Sequence, residues 1–208
     1  MTVYAIGTRR TNAELIADCA ALGYLRTDGP TFDATYGQGA FWKVWEPSAL
    51  LAADLHNGER SHRGRWVHAW DFTRLPLSDR SFDAVVFDPP YKLNGTSTGI
   101  GASVADAAYG VDRPASWQDR HALILAGITE CARVTHRMLL VKCQDQVCSG
   151  AVRWQTRILA DHAEAEGFRL VDMLHVQGSR PQPAGRRQVH ARRDYSTLLV
   201  LDRVAVQR

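Results

Sequence analysis

Hydrophobic and polar positions follow two rhythms along the chain. Between Thr11 and Gly23, Leu15, Ile16, Cys19 and Leu22 recur at helical spacing, with Thr11 and Glu14 as a capping-box pair and Gly23 to close the end. This predicts a short amphipathic helix. Five apolar runs follow, Thr31 to Thr35, Leu50 to Leu55, Trp66 to Trp70, Phe82 to Phe87 and Met138 to Val141. Each is too short for a helix and is bounded by Gly, Pro or Asp, so each reads as a buried strand. A helical stretch is expected from near Phe41. Helical spacing is clearer further on, where Trp117, His121, Ile124, Ile128 and Cys131 share a face behind a Ser116 cap. Val152, Thr156, Leu159 and Ala163 share another face that ends at Gly167. Strands alternating with helices imply an α/β fold, a mostly parallel sheet covered on both faces. The end of the chain breaks the rhythm. Phe168 to Gln177 and Tyr195 to Val204 are strand-like with no helix between them, so they should pair antiparallel as a long hairpin.

Two segments fit neither rhythm. Residues 92–115 are rich in Gly, Ser, Thr and Ala, and so long a connection inside a compact domain reads as a flexible loop or lid. Residues 178–194 join the last two strands and carry Arg180, Arg186, Arg187, Arg192 and Arg193 against a single acidic residue, Asp194. The net charge is only +3, so most of the basicity sits in this one excursion and points to an anionic partner at one place. No internal repeat interrupts the pattern, and a length of 208 residues suits one domain spanning 1–208.

Composition narrows the class further. With 45% hydrophobic and 23% charged residues the chain reads as soluble and globular, and no apolar run is long enough to cross a bilayer. The first residues lack a secretory pattern, so a cytoplasmic location is expected. Cys19, Cys131, Cys143 and Cys148 form no C-x-x-C, so reduced and mostly buried thiols are favoured over a disulfide framework or a zinc finger. His56, His62 and His68 do not repeat at ligand spacing, and no metal is expected.

The candidate chemistry lies at the ends of the apolar runs. Asp33, Asp54, Asp71 and Asp88 each terminate one of them, and ligands of open α/β sheets bind just outside the carboxyl ends of the strands. Any single Asp there could be serving turn chemistry, but turn chemistry explains the series poorly. Tyr36-Gly37-Gln38-Gly39 follows Asp33, and two glycines there let the backbone approach a ligand closely. A dinucleotide site would need a third Gly where Trp42 stands. Asp54 falls about 20 residues after Asp33, where an acidic residue reaches a ribose. Asp88-Pro89-Pro90-Tyr91 then follows the Phe82 to Phe87 run directly. Its two prolines stiffen the turn, leaving Asp88 and the Pro89 carbonyl as fixed acceptors beside an aromatic ring. A planar exocyclic amine fits such acceptors, donating its hydrogens to them while its ring stacks on Tyr91.

On these residues the chain resembles the DPPY-type amino-methyltransferases that depend on S-adenosylmethionine (SAM). It is similar to small DNA adenine-N6 or cytosine-N4 enzymes over about Thr31 to Val204. The resemblance implies a Rossmann-like fold in three α/β/α layers, with a seven-stranded sheet whose last strand is antiparallel. It implies SAM as cofactor. Asp33, Thr35, Tyr36, Gly37 and Gly39 would lie around its methionine part, Asp54 and Leu55 at its ribose, and Asp71 and Phe72 at its adenine. Asp88, Pro89, Pro90 and Tyr91 would form the catalytic motif. Adenine N6 is favoured over cytosine N4, where Ser commonly replaces the Asp. Lys142, Arg180, Arg186, Arg187, Arg192 and Arg193 are the candidate substrate-binding residues, Arg being suited to phosphates and guanine edges. Tyr36 stands where DNA enzymes usually have Phe, and no large target-recognition insertion is present. RNA is therefore the rival substrate, and an inactive nucleic-acid-binding scaffold is the rival of another class. The small size also fits a homodimer that would add a second nucleic-acid contact.

Overall fold

The computed structural model describes residues 7–93, 116–178 and 189–205. The first helix, α1 (Asn12–Ala21), begins as the capping box requires, with Thr11 accepting from the Glu14 N–H at 3.2 Å and the Glu14 carboxylate accepting from the Thr11 N–H at 3.0 Å. Its buried residues include Leu15, Ile16 and Cys19, the apolar stripe of the sequence. The next strands are β1 (Thr31–Asp33), β2 (Leu50–Ala53), β3 (Arg60–His62), β4 (Arg65–His68) and β5 (Phe82–Phe87). Then come α2 (Trp117–Val134), β6 (Thr135–Cys143), the short strands β7 (Gln146–Cys148) and β8 (Ala151–Arg153), and α3 (Gln155–Ala165). The long strands β9 (Phe168–Gln177) and β10 (Tyr195–Arg203) complete the described elements.

The main sheet has the order β3-β4-β2-β1-β5-β6-β10-β9. Strands β4, β2, β1, β5 and β6 are parallel, while β10 runs antiparallel to both β6 and β9. The expected hairpin and antiparallel last strand are therefore present. The sheet has eight strands among the described residues, not the seven expected. The extra one is β3, antiparallel on the β4 edge. Its sequence Arg60-Ser61-His62 is polar because an edge strand of three residues buries little, so no hydrophobic rhythm announces it. Two further expectations are corrected. The stretch near Phe41 is one 3-10 turn over Ala40–Trp42, and Val152 belongs to the separate β7-β8 pair, with helix starting only at Gln155.

Alternation along the strands divides the core in two. Phe32, Val85, Phe87, Leu139, Val141, Leu199 and Leu201 face α2 and α3, with Ile124, Ile128 and Leu159 from the helices. Ala84, Val86, Leu140, Leu198 and Val200 face the opposite side, under Leu15, Ile16, Phe41 and Trp42. Each fully buried Leu or Phe in these layers contributes about 1.5–3 kcal/mol of hydrophobic stabilisation before entropy is charged against it. At Gly127 of α2, an added Cβ would meet the Phe87 ring at 2.5 Å and the Phe72 ring at 2.8 Å, so a larger residue there would have to push these rings aside. All four cysteines are buried, as their scatter in the sequence suggested.

Candidate active site at the carboxyl ends of the strands

Parallel pairing of β1 with β2 and β5 brings Asp33, Asp54 and Asp88 to one edge of the sheet. The ladder continues into the loops, where the N–H of Ala34 bonds Val86 O at 3.1 Å and that of Tyr36 bonds Ala53 O at 2.9 Å. Asp54 is drawn in similarly, its N–H bonding His68 O at 2.8 Å. The turn after β1 places Gly37 at φ 52° and Gly39 at φ 64°, conformations that favour glycine. A Cβ at Gly39 would strike the Tyr36 hydroxyl at 2.6 Å, because the Tyr36 ring folds under its own turn and is buried.

The aspartates are occupied in different ways. Asp33 is buried and accepts from the Thr35 N–H at 2.9 Å and from Trp42 Nε1 at 2.7 Å. Burial pushes its carboxyl up to about 7, although both hydrogen bonds pull it down. Asp54 binds its own loop, its Oδ2 accepting from the Gly37 N–H at 3.0 Å and its Oδ1 from the Asn57 N–H at 2.7 Å. Leu55, next to it, is exposed. Asp71 is exposed and accepts from the Thr73 N–H and hydroxyl, both at 2.8 Å. Phe72 packs edge-on against Phe87 with ring centroids 5.0 Å apart, so most of its contact is with the core.

Asp88 differs from all of these. Its N–H donates to Thr35 Oγ1 at 2.7 Å, which fixes the start of the Asp88-Pro89-Pro90-Tyr91 turn against the glycine turn of β1. Its carboxyl Oδ1 is enclosed and has no hydrogen-bond partner among the described residues. Burial raises its pKa, opposed by the positive charge of Lys142. Pro89 O accepts from the Tyr91 N–H at 2.6 Å, which leaves one of its two lone pairs. Lys142 itself is buried, with its ammonium bonded to Asn12 of α1 and lying 5.7 Å from the Phe41 ring centroid. Burial lowers its pKa and the Asp88 charge raises it. A lysine held this way acts on Asp88 through its charge and is not extended toward a surface phosphate.

Gln146 and Gln155, which the sequence reading missed, hold the other side of the turn together with Gln144, which the sequence singles out beside Lys142 as a contact for the target base or a phosphate. The Tyr91 carbonyl accepts from Gln146 Nε2 at 2.7 Å and Gln155 Nε2 at 2.8 Å. Gln146 Oε1 also accepts from the Leu93 N–H at 3.2 Å. Gln155 Oε1 accepts from the Gln144 N–H at 3.1 Å, and Gln144 Nε2 reaches the Tyr195 and Arg193 carbonyls at 2.8 and 3.3 Å. Three buried glutamines thus tie Tyr91 to the end of β6, the start of α3 and the root of the arginine excursion. The helix gives its N-terminal capping role to Asp145, which accepts from the Thr156 N–H at 2.9 Å and so leaves Gln155 free to turn toward Tyr91. The only sequence signal for the set is polar residues where an apolar strand has just ended.

Arg192 and Arg193 lie just before β10, at the same edge of the sheet as Asp88. Arg193 sits over the Trp154 ring, 4.4 Å from its centroid. Arg180, Arg186 and Arg187 lie outside the described residues, as does most of the 92–115 loop.

Strand order and site position can be set against known proteins. The chain is similar to magnesium protoporphyrin IX methyltransferase from Synechocystis PCC 6803 with bound SAH. Identity is 13%, covering 93% of this chain and 81% of that one, with a TM-score of 0.58. A proposed RNA methyltransferase from Pyrococcus horikoshii is 12% identical, covering 95% and 83% of the two chains, with a TM-score of 0.57. A proposed methyltransferase from Bacillus halodurans C-125 is 14% identical, covering 90% and 97%, with a TM-score of 0.56. The fold is that of the SAM-dependent methyltransferases. No protein-family model matches the sequence, and no curated protein sequence matches it. At such low identity the methyltransferase fold is what the likeness establishes, and substrate must be argued from the site.

Proposed function

We propose that the chain is a SAM-dependent methyltransferase acting on an exocyclic amino group of nucleic acid, with adenine N6 of DNA as its target. The observation that carries this reading is the enclosed, partnerless Oδ1 of Asp88 beside the glycine turn. A buried acceptor without a donor costs stability, and a site retains one where a ligand supplies the donor. An amino group supplies it.

The residues present suit the cofactor. Asp33, Asp54 and Asp88 gather at the strand-end edge, and a ligand with a sulfonium and an ammonium would favour the ionised forms of Asp33 and Asp88 against the burial that raises their pKa. The positive-φ glycines allow backbone approach. In this reading Asp33, Thr35, Tyr36, Gly37 and Gly39 surround the methionine part, Asp54 and Leu55 the ribose, and Asp71 and Phe72 the adenine. When bound, SAM supplies an electrophilic methyl group, and no metal is required. Asp88 Oδ1 accepts one amino N–H, the remaining lone pair of Pro89 O accepts the other, and Tyr91 stacks on the target base. Orientation and charge placement then supply most of the acceleration. The base is flipped from its helix to reach this edge, and Arg192 and Arg193 meet the phosphates.

The test joins a SAM titration to transfer of labelled methyl into DNA by the wild type and Asp88→Ala. The variant should bind SAM within about twofold of the wild type and lose transfer by about 1000-fold. An Asp88→Ala protein that methylates at the wild-type rate would refute the assignment.

A further inference from the structure

Trp154 stands in the short link between β8 and α3 and is 47% exposed. An indole left this open forfeits much of the burial it could gain, yet its position is defined. Arg193 covers the ring at 4.4 Å, and Gln144 holds the Arg193 carbonyl at 3.3 Å. Arg153, the preceding residue, lies over Trp117 at 4.0 Å. Arg192 and Arg157 are also exposed in the flanking segments. Trp and Arg serve protein interfaces as well, so the occupant is decided here by position, one residue from the glutamine that holds the Tyr91 carbonyl. The open indole carries one guanidinium on its face, that of Arg193, while Arg153 packs on Trp117 and Arg157 pairs with Asp161 at 3.6 Å. A nucleic-acid strand matches both features, offering a flat base to the ring and phosphates to the arginines. The location is specific too, because Gln155, next in sequence to Trp154, holds the Tyr91 carbonyl at 2.8 Å.

We propose that Trp154 and Arg193 form a stacking platform for an unpaired nucleotide beside the target base. The proposal rests on the nucleic-acid reading of the neighbouring site and names where that strand docks. Arg193 closes one face of the indole and fixes the ring before the strand arrives, which lowers the ordering cost of binding. The base stacks on the open part of the ring.

The test is fluorescence anisotropy of a labelled single-stranded DNA oligonucleotide titrated with the full chain. Trp154→Ala should weaken binding about tenfold and Trp154→Phe should recover most of that loss. Arg193→Ala should weaken binding and reduce the slope of affinity against salt by about one. Arg193→Lys keeps the charge without the planar stack, so it should fall between Arg193→Ala and the wild type. Trp66→Ala removes an equally exposed tryptophan at the far edge of the sheet, 50% exposed, and should bind as the wild type does. SAM affinity should be the same for all five variants. The platform is wrong if the wild type does not bind the oligonucleotide, or if Trp154→Ala and Trp66→Ala bind equally. Methyl transfer to the same oligonucleotide separates the two readings. Transfer with Trp154-independent binding overturns the platform alone, whereas Trp154-dependent binding with no transfer either to this oligonucleotide or to its duplex upholds the platform and overturns the activity.

Discussion

Asp83, near the start of β5, and Asp88, just past its end, occupy opposite edges of one sheet, and their surroundings are opposite as well. Asp83 takes Arg137 Nε at 3.0 Å and Arg137 Nη2 at 2.7 Å, with Arg26 Nη1 further off at 3.4 Å. The bonds from Arg137 hold its carboxyl below the usual range, against the effect of burial. Asp88 has an enclosed oxygen with no donor, and burial raises it. The same carboxylate chemistry thus serves two ends. At the amino end of the strands each charge is answered and the group stabilises the fold. At the carboxyl end a charge is left for a ligand, and the fold carries its cost.

The widest separation expected from this contrast is in activity. Asp88→Asn should lower methyl transfer by about 100-fold or more, while unfolding in urea should show stability little changed, because relief of the enclosed carboxylate is offset by loss of its attraction for buried Lys142. Asp83→Asn should leave transfer near the wild-type value. Its effect is on the fold, where loss of the Arg137 pair should cost about 2 kcal/mol. Two variants with the same profile would remove the distinction between the ends.

The pH dependence of stability should carry the same signature through Asp33. Its pKa rises from an ordinary carboxylate value to about 7 on folding, so the folded state binds more protons than the unfolded state between those values. Its contribution is therefore fully present below the unfolded pKa and is lost as pH rises to about 7. The unfolding free energy of the wild type, compared with that of Asp33→Asn, should fall across this window. Asp83 and Glu130, whose pKa values are lowered, act in the opposite sense and cancel in that comparison.

A smaller effect should come from Gln155. Gln155→Ala removes one of the two donors to the Tyr91 carbonyl and should lower kcat about tenfold with SAM binding unchanged. Because Gln155 acts on the site through Tyr91, a loss confined to the KM for SAM would contradict a positioning role. Arg192→Ala should weaken nucleic-acid binding by about twofold to fivefold and lower its salt dependence, as expected for a single exposed phosphate contact.

Much of this arrangement could be read from the residues. The β5 boundaries, the Thr11 and Glu14 cap and the β9-β10 hairpin each had a local cause, namely a bounded apolar run, a capping pair and two strand patterns without a helix. The strand-end aspartates followed from those boundaries. What each carboxylate does was not legible, because Asp33, Asp54 and Asp88 look alike in sequence and differ only in which donors the fold brings to them. Lys142 likewise read as a reaching cation, whereas the α1 packing turns it to Asn12. Gln144 read in the same way, whereas it holds the Arg193 and Tyr195 carbonyls, and Gln146 and Gln155 were invisible because their partners are backbone groups distant in the chain. Edge strand β3 had no hydrophobic face to announce it.

The most direct test of the whole account is nucleoside analysis after incubating the wild type with labelled SAM and, separately, duplex DNA, single-stranded DNA and total RNA. The account predicts label in N6-methyladenine of DNA. Label only in RNA would contradict the choice of substrate, and no label in any nucleic acid, from a protein that binds SAM, would contradict the function assigned to Asp88.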